Sequence, residues 1–312
     1  MIQWFDANII LIQTTAVSIV LALSVQFPMR CGVFSFGGIG AFGLGAYTGA
    51  LLIIHQDVSP FLAVAAATLV GAVVSLALGV LVQRLRGLYL AMSTVAFCLI
   101  ITVLATNGGT LTGGANGLFG VITTFGVVEM WSLVVVVVAL VAATEHGKLA
   151  RRIAVVRDDP ELASSIGISN GFYRLLAFGV SGALGGCAGT LSVLVRTTVS
   201  PAEIGFPLVV LALTMIIVGG ARSWKGAVIG AVIFTWLPEI LTFVGEWQAV
   251  IYGFVVAIAV IWFPRGIYGL FVDAALRRGQ RRRAATTAPA ALADAAGDAA
   301  VPQLVPDQAG EK

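Results

Sequence analysis

The chain reads as a series of apolar runs of about twenty residues, broken by short polar interruptions. A helix of about 20 residues crosses a bilayer core, and a lipid-facing backbone must satisfy its own hydrogen bonds. Closed barrels would show alternation over segments of about ten residues, which this chain lacks. The pattern therefore predicts an all-α, polytopic integral membrane bundle with about nine transmembrane helices. The expected spans are about 9–28, 34–54, 60–82, 88–106, 127–143, 172–193, 206–220, 226–244 and 249–263. The seventh is short enough to be broken or re-entrant, so the range is 8–10.

Composition agrees: 59% of residues are hydrophobic and 11% charged, against about a quarter charged in soluble domains. The opening "MIQWFDANII" has no basic region and no small-residue cleavage site, so the first run is expected to be a retained helix. Cys31, Cys98 and Cys187 are too few and too scattered for a disulfide framework or metal cage, and no metal site is expected. On the nine-span reading, 17 of the 18 Lys and Arg residues fall on one side, with only Arg196 on the other. Positive charge stays cytoplasmic, which puts the C-terminus and the central loop inside and the N-terminus outside a bacterial plasma membrane. The basic residues thus mark a membrane face, and no nucleic-acid partner is expected.

Residues 1–275 read as the transmembrane domain. Residues 276–312 read as a cytoplasmic tail, first basic ("RRGQRRR") and suited to lipid headgroups, then Ala- and Pro-rich and expected to be disordered. Small residues recur at four-residue spacing: Ala41, Gly45 and Gly49; Gly182 with Gly186; Gly185 with Gly189; Gly226 with Gly230. Such spacing lets helices approach closely, either inside one bundle or between subunits. "SFGGIGA" (35–41) and "SWKGAVIGA" (223–231) hint at internal repetition.

The longest cytoplasmic loop, 145–171, carries its own helical signals. In "GKLARRIAVV", Leu149, Ile153 and Val156 line one face and Lys148, Arg151 and Arg152 the other. In "RDDPELASSIGIS", Asp159 suits an N-cap, Pro160 the first helical position and Glu161 the positive end of the helix dipole. Gly167 can close a helix over 160–166, on which Leu162 and Ile166 share a face with Ala163 beside them. A loop of this kind is either an interfacial helix on the membrane or a docking element for a soluble partner.

"ELASSIG" fits E-x-A-x-x-x-G and resembles the cytoplasmic coupling-loop signature of ABC importer permeases, E-A-A-x-x-x-G. Glu161, Ala163 and Gly167 match, while Leu162 replaces the second alanine. "FSFGGIGAFGLGAYTGALL" (34–52), "RLRGLYLAMSTVAF" (84–97), "TGGANGL" (112–118), "ASSIGISNGFYRLLAFGVSGALGGCAGTL" (163–191) and "WFPRGIYGL" (262–270) are similar to the LivM-like permeases of branched-chain amino-acid importers. The chain departs from that pattern at "QFPMRCGVFSFGG" (26–38), which leaves branched-chain amino acids, urea, short amides and other small polar solutes open as substrates. The resemblance implies a non-catalytic permease that works with two ATP-binding-cassette ATPase subunits, a second permease subunit and an extracytoplasmic solute-binding protein. ATP and magnesium would then sit on the ATPases, with no cofactor in this chain. Asp159, Pro160, Glu161, Leu162, Ala163, Ile166 and Gly167 would form the ATPase-coupling loop, with Ala163 letting the short helix seat closely on its partner.

Energy coupling within the chain itself finds no support. No G-x-x-x-x-G-K-[ST] stretch occurs to cradle nucleotide phosphates. Most acidic residues fall in loops and the tail, and Glu239 after Pro238 is the one plausible intramembrane acid, towards the outer end. Arg196 and Glu203 read as a local ion pair or as a contact for a binding protein, and the Gly-rich 107–126 loop as a cover over the bundle or a substrate entrance. Hydroxyls at Thr14, Thr15, Ser18, Ser93 and Thr94 either meet substrate or bond back to their own helices, so substrate-binding residues stay unassigned. The alternative to an importer permease is a self-sufficient channel or facilitator, in which the central loop only anchors.

Overall fold

A computed structural model describes residues 8–123, 125–262 and 266–269. Twelve α-helices lie among them. The first five are α1 (Ile9–Arg30), α2 (Gly37–Gln56), α3 (Pro60–Leu81), α4 (Gly87–Asn107) and α5 (Val127–Ala143). Then come α6 (Gly147–Asp158), α7 (Pro160–Ser165), α8 (Asn170–Arg196), α9 (Pro201–Ile204), α10 (Phe206–Gly219), α11 (Trp224–Ile240) and α12 (Gln248–Trp262). Two-residue strands, β1 (Leu118–Phe119) and β2 (Thr198–Val199), pair antiparallel. The protein is a polytopic all-α membrane protein.

Seven helical stretches among the described residues are long and apolar enough to cross a membrane, with α9 and α10 counting together as Pro201–Gly219. The pair α5 and α6, bent by 67°, makes an eighth if taken as one span. Nine is not reached on length among the described residues, where α5 has 17 residues and α12 has 15, short of the roughly 20 that a hydrocarbon core requires. The expected tail, 276–312, and residues 263–265 and 270 of the last resemblance segment lie outside the described residues.

Local chemistry explains the boundaries. Pro60 opens α3, where its missing N–H costs nothing. Ser169 and Ser223 accept backbone N–H bonds at the starts of α8 and α11. Asp57 and Thr197 take the left-handed conformation that ends α2 and α8.

The 27-residue α8 is the axis of the bundle. On one face, a Cβ at Gly182 or Gly186 would strike the carbonyls of Gly71 and Ala67 on α3. On another, Gly185 and Gly189 lie against the carbonyls of Gly38 and Phe42 on α2. Gly226 and Gly230 of α11 bring it equally close to α10 at Gly219 and Met215. The small-residue spacing is therefore spent on packing within one chain, where dispersion between close backbones replaces water expulsion as the cohesive force. Hydroxyls add cross-helix bonds: Ser181 donates to the Ser24 carbonyl at 2.6 Å, and Thr190 to that of Gly45 at 3.0 Å. All three cysteines are buried and free.

The helix connectivity gives the bundle two chemically distinct ends. Arg30, Arg84, Arg86, Arg222 and the 144–169 segment gather at one, termed here the basic end. Arg196, β1, β2 and α9 mark the other.

Candidate functional site

At the basic end, α6 and α7 form a compact hairpin. Ile153 and Val156 are buried and Leu149 packs against the core, while Lys148, Arg151 and Arg152 face out. The apolar stripe of α6 is thus covered by the protein's own core. The Cα and Cγ of Arg157 stand over Gly32, whose positive φ of 77° turns the chain after α1. Arg157 also donates to Asp158 at 2.8 Å, which holds that exposed carboxyl below its usual pKa.

The local geometry of α7 follows from its residues. Asp159 Oδ1 accepts from the N–H groups of Glu161 at 3.1 Å and Leu162 at 2.9 Å, and Pro160 opens the helix. Gly167, at φ +79°, ends it, and the N–H of Ile168 reaches back to the Ala163 carbonyl at 2.9 Å. Asn170 Nδ2 donates to the Pro160 carbonyl at 2.7 Å, closing the return into α8. The helix is one residue shorter than the expected 160–166, because Ile166 is its C-cap.

Ala163 points inward. Its side chain is 0% exposed and belongs to the hydrophobic core, so its small size serves packing within this chain instead of an outer contact. The exposed apolar pair is Leu162 at 51% and Ile166 at 59%, beside the exposed Asp159 and Glu161.

The hairpin is bound at its base to the bundle. Arg30, buried at the end of α1, donates to Thr144 Oγ1 at 2.8 Å and to the Thr144 carbonyl at 2.6 Å. Its Nη1 lies 3.9 Å from Glu145 Oε1. That carboxylate also accepts the Trp224 N–H at 2.8 Å and the Ser223 hydroxyl at 3.1 Å, so it sits on the positive N-terminal end of α11. Glu145, in the turn between α5 and α6, therefore joins the base of the hairpin to α1 and α11. Nearby, Arg174 of α8 donates to the carbonyls of Gln83 at 2.9 Å and Leu85 at 2.6 Å, which fixes the α3–α4 turn.

Towards the opposite end, α1, α2, α8, α10 and α11 enclose a cavity of about 210 Å³. Its walls are mostly apolar, with Phe42, Leu208, Met215 and Phe234 among them. Thr14, Ser18, Ser192 and Thr235 supply hydroxyls, and Arg196 is the one charged residue among the described residues lining it. A second recess of about 60 Å³ shares Phe42, Ser192, Arg196 and Leu208 with the first and adds Glu203. Arg196 Nη1 and Glu203 Oε2 form an ion pair at 3.1 Å, with both side chains about half exposed. Glu239 is exposed, and Pro238 beside it lines the larger cavity.

The 107–126 loop is pinned next to these cavities. β1 pairs with β2, and the Val121 N–H donates to the Thr197 carbonyl at 3.1 Å. No described residue of that loop lines either cavity. Thr14, Thr15, Ser93 and Thr94 all donate to carbonyls three or four residues back in their own helices. Sequence reasoning missed the Arg30–Glu145 contact, although a lone acid at the start of a basic loop was a signal for it. It also missed Ser192, which carries no local pattern.

The family described as branched-chain amino acid transport system / permease component matches residues 8–261. The high-affinity branched-chain amino acid transport system permease protein LivM of Salmonella typhimurium strain LT2 is 28% identical over 288 residues, covering 81% of this chain and 68% of that protein. The protein of the same name from Escherichia coli K12 is 27% identical over the same shares. No solved structure matches the chain.

Proposed function

This chain belongs to the family of permease components of branched-chain amino acid transport systems, and on that premise we propose that it is a non-catalytic permease subunit of an ATP-driven importer for branched-chain or related amino acids. The observation that carries the coupling role is α7, a rigidly capped helix that presents Leu162 and Ile166 outward while Ala163 locks it to its own chain. An exposed apolar pair on a short, fixed element suits seating in a groove of a soluble partner. On this reading, two ATPase subunits bind ATP and magnesium and push on α7 as they close. The push enters the bundle through Ala163 and α8 and through the Glu145 junction to α1 and α11. A second permease subunit completes the pathway, and a solute-binding protein delivers the amino acid at the Arg196 end.

The basic end is cytoplasmic, in line with the retention of positive charge on that side. The test is reconstitution of the chain with its copurifying subunits in proteoliposomes. L-leucine uptake should require ATP on the basic-end side and should stop in the Leu162→Asp/Ile166→Asp variant. Uptake by this chain alone, without ATP, would establish the facilitator instead.

A further inference from the structure

The two cavities near the Arg196 end meet at Ser192 and Arg196, and Glu203 stands across the smaller one. Among the described residues, Arg196 is the only charge lining the larger cavity, and Glu203 the only acid lining either. Their 3.1 Å pair is half-exposed, so solvent screens it and little is lost when other partners replace it. A ligand carrying one carboxylate and one ammonium on the same carbon can insert between them and satisfy both. The apolar wall at Phe42, Leu208, Met215 and Phe234 then takes an aliphatic side chain. The hydroxyls of Ser18 and Ser192 make no hydrogen bond among the described residues, which leaves them available to the ligand's polar end. A volume of about 210 Å³ is below the range of roughly 300–1,000 Å³ for drug-sized ligands and suits a smaller solute.

We propose that Arg196 and Glu203 form a zwitterion clamp at the mouth of an aliphatic amino-acid site in this chain, with Arg196 binding the α-carboxylate and Glu203 the α-ammonium. This inference rests on the permease reading and adds to it the location of the site and the class of ligand it takes. Neutral urea and amides carry no paired charges and would gain nothing from such a clamp.

The test uses the reconstituted transporter and L-leucine, with leucinamide (no carboxylate) and 4-methylpentanoate (no ammonium) as competitors. At half-exposed charges, solvent screening limits each such contact to about two- to five-fold in affinity. Arg196→Gln should weaken L-leucine by that factor and abolish discrimination against leucinamide. Glu203→Gln should weaken L-leucine while leaving 4-methylpentanoate unchanged. Both variants should still copurify with the ATPase, which reports an intact fold. Wild-type uptake of L-leucine with unaltered KM in both variants would overturn the clamp and leave the permease reading standing. Equal weakening of all three compounds in each variant would show a structural role and also overturn the clamp. Absence of ATP-driven L-leucine uptake in wild type would remove the permease reading and the clamp with it.

Discussion

Replacing Glu145 with alanine tests how firmly the central hairpin is joined to the bundle. The change removes the 3.9 Å contact to Arg30 and the two hydrogen bonds from Ser223 and Trp224. Arg30 is 7% exposed and Glu145 18%, so water reaches Arg30 poorly once the carboxylate is gone. Removing one partner of a buried pair costs about 3–5 kcal/mol. Arg30 keeps both of its bonds to Thr144, which places the expected loss at the lower end, about 3 kcal/mol. At about 2 °C per kcal/mol for a chain of this size, the unfolding midpoint in detergent should fall by about 6 °C.

Two comparisons sharpen that test. Glu145→Gln keeps an acceptor for the Trp224 N–H and should lose about half as much, on the order of 1.5 kcal/mol. Arg30→Met/Glu145→Leu replaces the pair with apolar groups and should be milder than Glu145→Ala, since well-packed apolar replacements of buried pairs are often near neutral. A midpoint unchanged in Glu145→Ala, or a double variant less stable than Glu145→Ala, would refute the reasoning.

Gly186→Leu drives a branched side chain into the Ala67 carbonyl of α3 and should prevent stable insertion, read as loss of the monodisperse peak on size exclusion, while Gly171→Ala, with open space around it, should be silent. Asp159→Ala removes the acceptor for two N–H groups and should cost about 1 kcal/mol, seen as faster amide exchange confined to 160–166. Ala163→Asp buries a carboxylate in the core and should disturb folding of the hairpin itself, so that exchange rises across 147–168 whether or not a partner is present. Ser165→Cys should react with an impermeant maleimide only from the cytoplasmic side and Ala202→Cys only from outside, since both positions are exposed and the native cysteines are buried; the opposite pattern would invert the orientation.

The spanning helices were legible as long apolar runs, and the short α7 from its local start signal at Asp159–Pro160. Small-residue spacing in α8 correctly marked close packing, and the structure supplied the partners, α2 and α3. The number of spans was harder, because hydropathy does not separate a 17-residue helix bent into its neighbour from a full crossing. The geometry of α7 was readable from Asp159, Pro160 and Gly167, which act on the backbone within a few residues. The inward turn of Ala163 was not, since the direction of a side chain on a two-turn helix depends on where α6 and α8 hold it. Glu145 and Ser192 depend on tertiary neighbours far away in sequence, and such contacts leave no trace in local periodicity.

The most direct test of the account is recovery of an ATP-hydrolysing subunit with the tagged chain from native membranes, comparing wild type with Leu162→Asp/Ile166→Asp. Both positions are exposed, so the double variant should insert and unfold like wild type. The account predicts that wild type brings down ATPase activity and the variant loses it. Equal recovery from both, or none from wild type, would contradict α7 as the element through which this permease is driven.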